Sequence, residues 1–153
     1  ADDRWAHCNL KVISLLANIL ARQQAVDAGC AEALLIRDGY LKEGAASNIF
    51  VVKDGVLLAP PKTSFMLPGI TYDVVLELAT GHGQPLEIRE IHENELRAAD
   101  EVWMTSSTKE VLAITTLDGK PVGNGPTAGK PGPVGEQMWQ WYQDFKNTIM
   151  RKG

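Results

Sequence analysis

Apolar residues recur with helical spacing in three long stretches of the chain. Over 14–28 they lie three or four positions apart with polar residues between them, which predicts an amphipathic helix with Ser14 as its N-cap. A second such stretch predicts a helix that begins near Gly69. The third runs from Met138 to Ile149 and predicts a closing helix whose aromatic side chains dock on the core.

Shorter apolar or alternating runs predict β-strands between these helices. Asp38-Gly39 and Asp54-Gly55 separate consecutive runs and predict tight hairpin turns. The segment 119–135, rich in glycine and proline, predicts a hairpin followed by an extended loop within the same domain. A short helix is predicted over 93–98, and strands over 33–36, 40–42, 48–53, 56–59, 85–91, 101–105 and 111–117. Helices and strands are interspersed, so we expect an α+β fold.

Composition narrows the possible functions. The 153 residues suffice for one domain. The 19 acidic and 15 basic side chains give a formal charge of −4, whereas a protein that binds the phosphate backbone of a nucleic acid usually has an excess of basic residues. We therefore expect no nucleic-acid partner. The apolar runs are too short to cross a membrane, and the polar start of the chain does not resemble a signal peptide. Two separated cysteines and three scattered histidines argue against a zinc site.

Lys11 and Glu43 are the first two candidates for chemistry. Lys11 stands immediately before the first predicted helix, and it is either an ordinary solvated lysine or a desolvated amine able to form a Schiff base with a carbonyl group. Glu43 precedes the small residues 44–47 between two predicted strands. It is either exposed in a turn or buried, and a buried carboxylate would need a cationic or N–H partner.

The third candidate is a possible anion site. A helix that opens at Gly69 presents free N–H groups and the positive end of its dipole, which suit a phosphate. The hydroxyl cluster 105–108 could supply further donors, although each feature taken singly is also common in ordinary caps and loops. An amine, a carboxylate and an anion cradle together are what pyridoxal 5′-phosphate requires for its aldehyde, ring nitrogen and phosphate.

Four strings in the chain resemble the class IV aminotransferases. They are Arg4-Trp5-x-x-Cys8-x-Leu10-Lys11, Glu43-Gly-x-x-Ser47-Asn48-Ile49-Phe50, Leu67-Pro68-Gly69-Ile70-Thr71 and Gly129-Lys-Pro-Gly-Pro-Val134. The strings occur in the family's order over essentially the whole chain, and Lys11 precedes Glu43 by 32 residues as in the family. Within the family the chain looks most similar to the D-amino acid transaminases.

The resemblance implies a fold type IV pyridoxal-phosphate enzyme. Residues 1–153 would form its larger, C-terminal domain, with strands in a pseudo-barrel surrounded by helices. Lys11 matches the residue that forms the Schiff base and then shuttles a proton, and Glu43 matches the acid that pairs with the pyridine nitrogen.

The resemblance also implies the remaining cofactor contacts. Leu67 matches a residue that packs on the ring, Ile70 and Thr71 match the backbone phosphate cradle, and Ser107 matches a phosphate-contacting hydroxyl with Ser106 as its neighbour. The family often has a threonine where Ala59 stands and a basic residue where Tyr72 stands, so contacts near the phosphate are expected to differ.

The implied activity is transfer of an amino group between D-alanine, or a related D-amino acid, and 2-oxoglutarate by a cytoplasmic homodimer. Family members carry an N-terminal domain with an arginine for the phosphate and the substrate-binding residues, so we expect this chain alone to be inactive. The alternatives are a branched-chain L-amino acid aminotransferase and, third, an aminodeoxychorismate lyase. A non-enzymatic alternative is an isolated binding or assembly module.

Overall fold

The computed structural model describes residues 2–13 and 15–150. The predicted cap Ser14 lies outside the described residues. The helices are α1 (Leu16–Asp27), α2 (Ile70–Gly81), α3 (Glu93–Arg97) and α4 (Pro133–Phe145), with a 3-10 turn at Gly125–Thr127 and a π-helical turn at Lys146–Met150. The strands are β1 (Leu34–Arg37), β2 (Tyr40–Gly44), β3 (Asn48–Lys53), β4 (Val56–Ala59), β5 (Leu86–Ile88), β6 (Glu101–Ser106), β7 (Glu110–Ala113), β8 (Thr116–Leu117) and β9 (Lys120–Pro121).

A five-stranded sheet in the order β5-β4-β3-β6-β7 forms the centre of the fold. Strands β4 and β5 are parallel and α2 connects them, whereas the other neighbours in this sheet are antiparallel. The β3–β4 turn uses Asp54 and Gly55 at φ values of 49° and 77°, the left-handed pair that a tight type I′ hairpin requires. The predicted Asp-Gly hairpins are confirmed at this turn and at Asp38-Gly39.

Both faces of the central sheet are buried. Along β3, Phe50 and Val52 belong to one core cluster, and Ile49 and Val51 belong to the other. Successive side chains of a strand point to opposite faces, so a strand covered on both sides has a continuous apolar sequence. Helices α2 and α4 contribute the side chains that pack on the sheet in the first cluster. Strand β2, helix α3 and their flanking loops contribute those that pack on the sheet in the second.

The α+β prediction is confirmed, with two differences in its elements. The single strand predicted over 111–117 is divided, because β7 belongs to the central sheet and β8 pairs with β9 in a separate hairpin. The segment 119–135 contains only the second strand of that hairpin, β9, because β8 lies before it, and α4 begins inside the segment at Pro133. Proline favours the first turn of a helix, where its missing N–H has no partner to lose.

Helix α1 is present as predicted, but its apolar face is not covered. Leu16, Ile19, Leu20 and Val26 are all more than half exposed, and Ala25 is the buried residue of this helix. The helix docks on the chain through Asn18, whose side-chain amide donates to the Ala45 carbonyl at 3.0 Å. Within the described residues, no helix combines the length and the apolar character needed to cross a membrane.

Candidate functional site

A pocket of about 320 Å³ opens where β3 begins and β6 ends. These antiparallel strands pair Asn48 with Thr105, so the segments before β3 and after β6 meet at one edge of the sheet. Five residues predicted from the sequence line this pocket, namely Lys11, Glu43, Leu67, Ser106 and Ser107. Ile70 and Thr71 directly follow Gly69, which also lines it.

Glu43 is buried, which decides between the two interpretations of this residue. Its side chain lies at the end of β2 and the residue is 3% exposed. One carboxylate oxygen accepts from the Arg4 guanidinium, and the other accepts from the Leu67 N–H at 3.0 Å. Burial raises the pKa of Glu43 to about 7, and the Arg4 charge and the Leu67 N–H act in the opposite direction.

Asn48 holds the segment that leads into α2. Its side-chain amide donates to the Leu67 carbonyl at 2.9 Å, and its oxygen accepts from the Gly69 N–H at 3.1 Å. A Cβ added at Gly69 would lie 2.6 Å from that same oxygen, so the close approach requires glycine. Glu43 and Asn48 thus fix residues 67–69 from two strands that are consecutive in the chain.

The N-terminus of α2 follows this fixed segment. Gly69 is its N-cap and provides no side-chain hydrogen bond to the first turn. Helical geometry leaves the first N–H groups, including those of Ile70 and Thr71, without intrahelical acceptors. The Ile70 side chain is 82% exposed and Thr71 is buried. Their backbones, rather than their side chains, therefore provide the donors at this end of the helix.

Hydroxyl-bearing residues lie at the C-terminal end of β6 and directly after it. Ser106 and Ser107 line the pocket, and the Ser106 hydroxyl accepts from the Lys109 N–H at 3.0 Å. Thr105 is 1% exposed, and its hydroxyl has no hydrogen-bond partner among the described residues. A buried hydroxyl without a partner is costly, which makes this position a candidate for contact with a bound polar group.

Lys11 lies on the exposed rim of the pocket. Its side chain is solvated in this structure, which corresponds to the first of the two interpretations drawn from the sequence. Neighbouring residues of α1 and the turn before it, including Leu15, Asn18 and Arg22, form the wall beside it. The amine is therefore accessible to a ligand that enters the pocket.

Three residues of this site have no role predicted from the sequence. Arg4 and Asn48 occur in quoted motifs, but their contacts join positions far apart in the chain and are not visible as local patterns. In the sequence, Thr105 is only one member of the hydroxyl cluster 105–108. Tyr72, which stands where the resemblance implies that the family often has a basic residue, is fully buried, and its hydroxyl donates to the Pro60 carbonyl at 2.7 Å. Tyr72 is thus a core residue in this chain.

The chain matches the family model described as amino-transferase class IV over residues 1–117. A D-alanine aminotransferase of Bacillus licheniformis is 42% identical over 135 residues, which cover 88% of this chain and 46% of the relative. A D-alanine aminotransferase of Listeria monocytogenes is 38% identical over 141 residues, which cover 92% of this chain and 47% of the relative. The chain therefore spans about half the length of the curated relatives it matches.

A solved structure agrees with the family match. The branched-chain amino acid aminotransferase of T.th. with pyridoxamine 5′-phosphate superimposes with a TM-score of 0.78 and 35% identity, covering 85% of this chain and 42% of that one. The ligand of that relative agrees with the cofactor expected from the sequence. The resemblance found in the four motifs is confirmed, and the chain belongs to the class IV aminotransferases.

Proposed function

We propose that this chain binds pyridoxal 5′-phosphate and forms the cofactor-binding domain of an aminotransferase that acts on a D-amino acid, with D-alanine as donor and 2-oxoglutarate as acceptor. The observation that carries the proposal is the shared pocket. An accessible amine, Lys11, and a buried carboxylate, Glu43, line it together with the start of α2.

The polar groups of the pocket fit the cofactor. The uncapped N-terminus of α2 would bind the phosphate through the N–H groups of Ile70 and Thr71, with Ser106 and Ser107 as hydroxyl donors. The unpartnered Thr105 hydroxyl is a further polar group on the same wall. Leu67 would contact the ring, and the glycine at position 69 adds no side chain of its own at the helix start.

When bound, pyridoxal 5′-phosphate supplies an aldehyde for condensation with an amine and a protonated ring that withdraws electrons from the substrate Cα. Lys11 Nζ provides the amine and, when free, a base that moves the Cα proton. Glu43 provides the negative charge for the protonated ring nitrogen, and its burial keeps water from screening that charge. The two residues thus divide the tasks of proton transfer and charge stabilisation.

Borohydride reduction tests the role of Lys11. We expect the chain, incubated with pyridoxal 5′-phosphate, reduced and digested, to carry the phosphopyridoxyl group on the peptide that contains Lys11. Lys11→Met should lose this adduct, whereas Lys120→Met, which removes another exposed lysine, should retain it. An adduct on a different lysine would refute the assignment, and absence of any adduct would favour a non-enzymatic module.

The choice between D- and L-amino acids is a separate question. The greater identity to D-alanine aminotransferases, 42% and 38%, supports the D-specific assignment. The match to a branched-chain amino acid aminotransferase at 35% makes that activity the second candidate. With 2-oxoglutarate as acceptor, we expect the full-length protein to release pyruvate from D-alanine faster than it deaminates L-leucine. The reverse order of rates would select the second candidate.

Because the chain spans about half of its curated relatives, we propose that activity requires a further domain. We further propose a homodimer, for which the exposed apolar side chains of α1 are the supporting feature. Cytoplasmic location stays a prediction from the family resemblance. Comparing amino transfer by the full-length protein with that by this chain tests the domain requirement, and equal specific activity of the two would contradict it.

A further inference from the structure

Arg4 belongs to a quoted motif, and the function described above gives it no task. The residue is 5% exposed, which is unusual for arginine and requires that its charge be compensated. Its Nε and Nη2 donate to the two oxygens of Asp2 at 2.8 and 2.9 Å, and Nη2 also donates to the Phe65 carbonyl at 3.0 Å. These bonds fix the plane of the guanidinium, whose Nη1 donates to Glu43.

Arg4 shares its carboxylate partner Asp2 with another arginine and also contacts Glu43. Asp2 also lies against a second arginine, with Arg37 Nε 3.4 Å from its carboxylate. Arg37 donates to the Arg4 carbonyl and packs over the Phe65 ring at 4.4 Å. Two carboxylates and two guanidinium groups therefore alternate in one cluster, and Arg4 is the cation in contact with Glu43.

Both oxygens of Glu43 are held by donors. Arg4 contacts one oxygen, and the Leu67 N–H contacts the other at 3.0 Å. A carboxylate fixed in this way cannot rotate freely and still keeps lone pairs for a ligand, because each oxygen can accept more than one hydrogen bond. Glu43 also lines the pocket in which the cofactor is proposed to bind.

The charge state of Glu43 depends on these partners. Burial and the nearby Asp2 raise its pKa, whereas Arg4 and the Leu67 N–H lower it. The Cys8 thiol is a further titratable neighbour of this cluster, and burial raises its pKa too. A protonated Glu43 would be neutral and could not stabilise a cationic ring nitrogen. Arg4 is the partner that supplies positive charge at this carboxylate.

We propose that Arg4 is a positioning residue that keeps the Glu43 carboxylate ionised and oriented toward the ring nitrogen of the bound cofactor, an inference that rests on the proposed function. An arginine suits this task because its rigid fork of donors can hold Asp2, the Phe65 carbonyl and Glu43 at once. A lysine would supply the charge without the fixed geometry.

The unliganded chain provides the first test. The Glu43 side-chain carboxyl can be titrated by NMR in protein labelled with carbon-13 glutamate, and its resonance identified by its absence in Glu43→Gln. We expect Arg4→Met to raise the pKa of Glu43 by about one to three units, the range for loss of an adjacent opposite charge, and Arg4→Lys to raise it less. Arg37→Met is the matched control, because it removes a neighbouring guanidinium that does not contact Glu43. An unchanged pKa in Arg4→Met would overturn the proposal.

The second test compares pyridoxal 5′-phosphate with 1-deazapyridoxal 5′-phosphate, in which a C–H group replaces the ring nitrogen. We expect Arg4→Met to weaken binding of the first ligand by about tenfold, the lower range for a hydrogen bond to a charged group, and to leave the second unchanged. Equal loss of both affinities would indicate a merely structural Arg4 and would also overturn the proposal. If the wild-type chain bound neither ligand, the proposed function would fail while the Glu43 titration would still decide the role of Arg4.

Discussion

The buried carboxylate of Glu43 makes folding depend on pH in a definite direction. Burial raises its pKa from 4.5 to about 7, so the folded chain holds this proton more tightly than the unfolded chain does. The stabilising contribution of the protonated form is therefore complete below about 4.5 and is lost as the pH rises through about 7.

We accordingly predict that the free energy of unfolding of the wild type, relative to Glu43→Gln, falls between these two pH values. The amide that this substitution introduces does not titrate. Its altered hydrogen bond to Arg4 therefore changes the difference in free energy of unfolding by a constant amount and does not change its dependence on pH. Each pKa unit corresponds to about 1.4 kcal/mol, which sets the scale of the change. Urea unfolding of both unliganded chains over this pH range measures it, and a difference that rises with pH would contradict the assignment.

Asn48 and Gly69 contact each other at the start of α2, where the Gly69 N–H donates to the Asn48 side-chain oxygen. Asn48→Ala removes the hydrogen bonds to the Leu67 carbonyl and the Gly69 N–H, and Gly69→Ala introduces a Cβ 2.6 Å from the Asn48 oxygen. We predict that each variant weakens binding of pyridoxal 5′-phosphate by about tenfold, the equivalent of one or two lost hydrogen bonds. Fluorescence titration would measure this, with the exposed Asn124→Ala as control. Unchanged affinity in both variants would remove the α2 start from the site.

The residues of the site differ in how far the sequence predicts them. Glu43 and Gly69 stand out locally, since a charged residue beside small residues and a glycine before an apolar helix are visible in the chain itself. The contact between Arg4 and Glu43 joins positions 39 residues apart, and no local pattern indicates which buried cation meets a buried carboxylate. The missing hydrogen-bond partner of Thr105 likewise depends on packing between strands.

Among the elements, α4 depends on a single side chain from the central sheet. Glu101, buried at the start of β6, accepts from the N–H groups of Val134 and Gly135 at 2.9 and 2.8 Å and so caps the helix. A Cβ added at Gly132 would overlap the Glu101 carboxylate. The glycines of the motif at 129–134 thus include one that leaves room for this cap, a role that the motif alone does not reveal.

We predict that Gly132→Ala destabilises the chain by about 1–3 kcal/mol, the usual cost of overpacking a filled site. Gly81→Ala is the matched control, because it lies at the end of α2 with no atom within 4 Å of the added Cβ. Alanine there should be neutral or stabilising, since it restricts the unfolded chain more than glycine does. Thermal unfolding compares the two, and equal midpoints would show that Glu101 can move aside without cost.

In the whole molecule, the local sequence predicts the helices, strands and turns, but it does not predict which surfaces are covered by other parts of the structure. The Asp-Gly hairpins follow from backbone preferences at two adjacent residues, and the central strands follow from continuous apolar runs. The apolar stripe of α1 predicts a helix equally well, but periodicity does not state what covers the stripe. In this chain the stripe is exposed, an outcome that the periodicity of the helix does not indicate.

The exposed stripe of α1 leads to a prediction about self-association. Leu16 and Leu20, one helical turn apart, are 62% and 53% exposed, and an apolar surface of this kind favours contact with another apolar surface. We expect a second copy of the chain to cover it, so sedimentation velocity should show a concentration-dependent dimer. Leu16→Glu combined with Leu20→Glu should shift the chain to the monomer, because each buried carboxylate would lose its hydration without gaining a partner. Ile88→Glu, which charges an exposed apolar residue on β5, should leave the dimer intact. A wild-type chain that stays monomeric would contradict the predicted self-association, and equal dissociation in both variants would place the contact elsewhere.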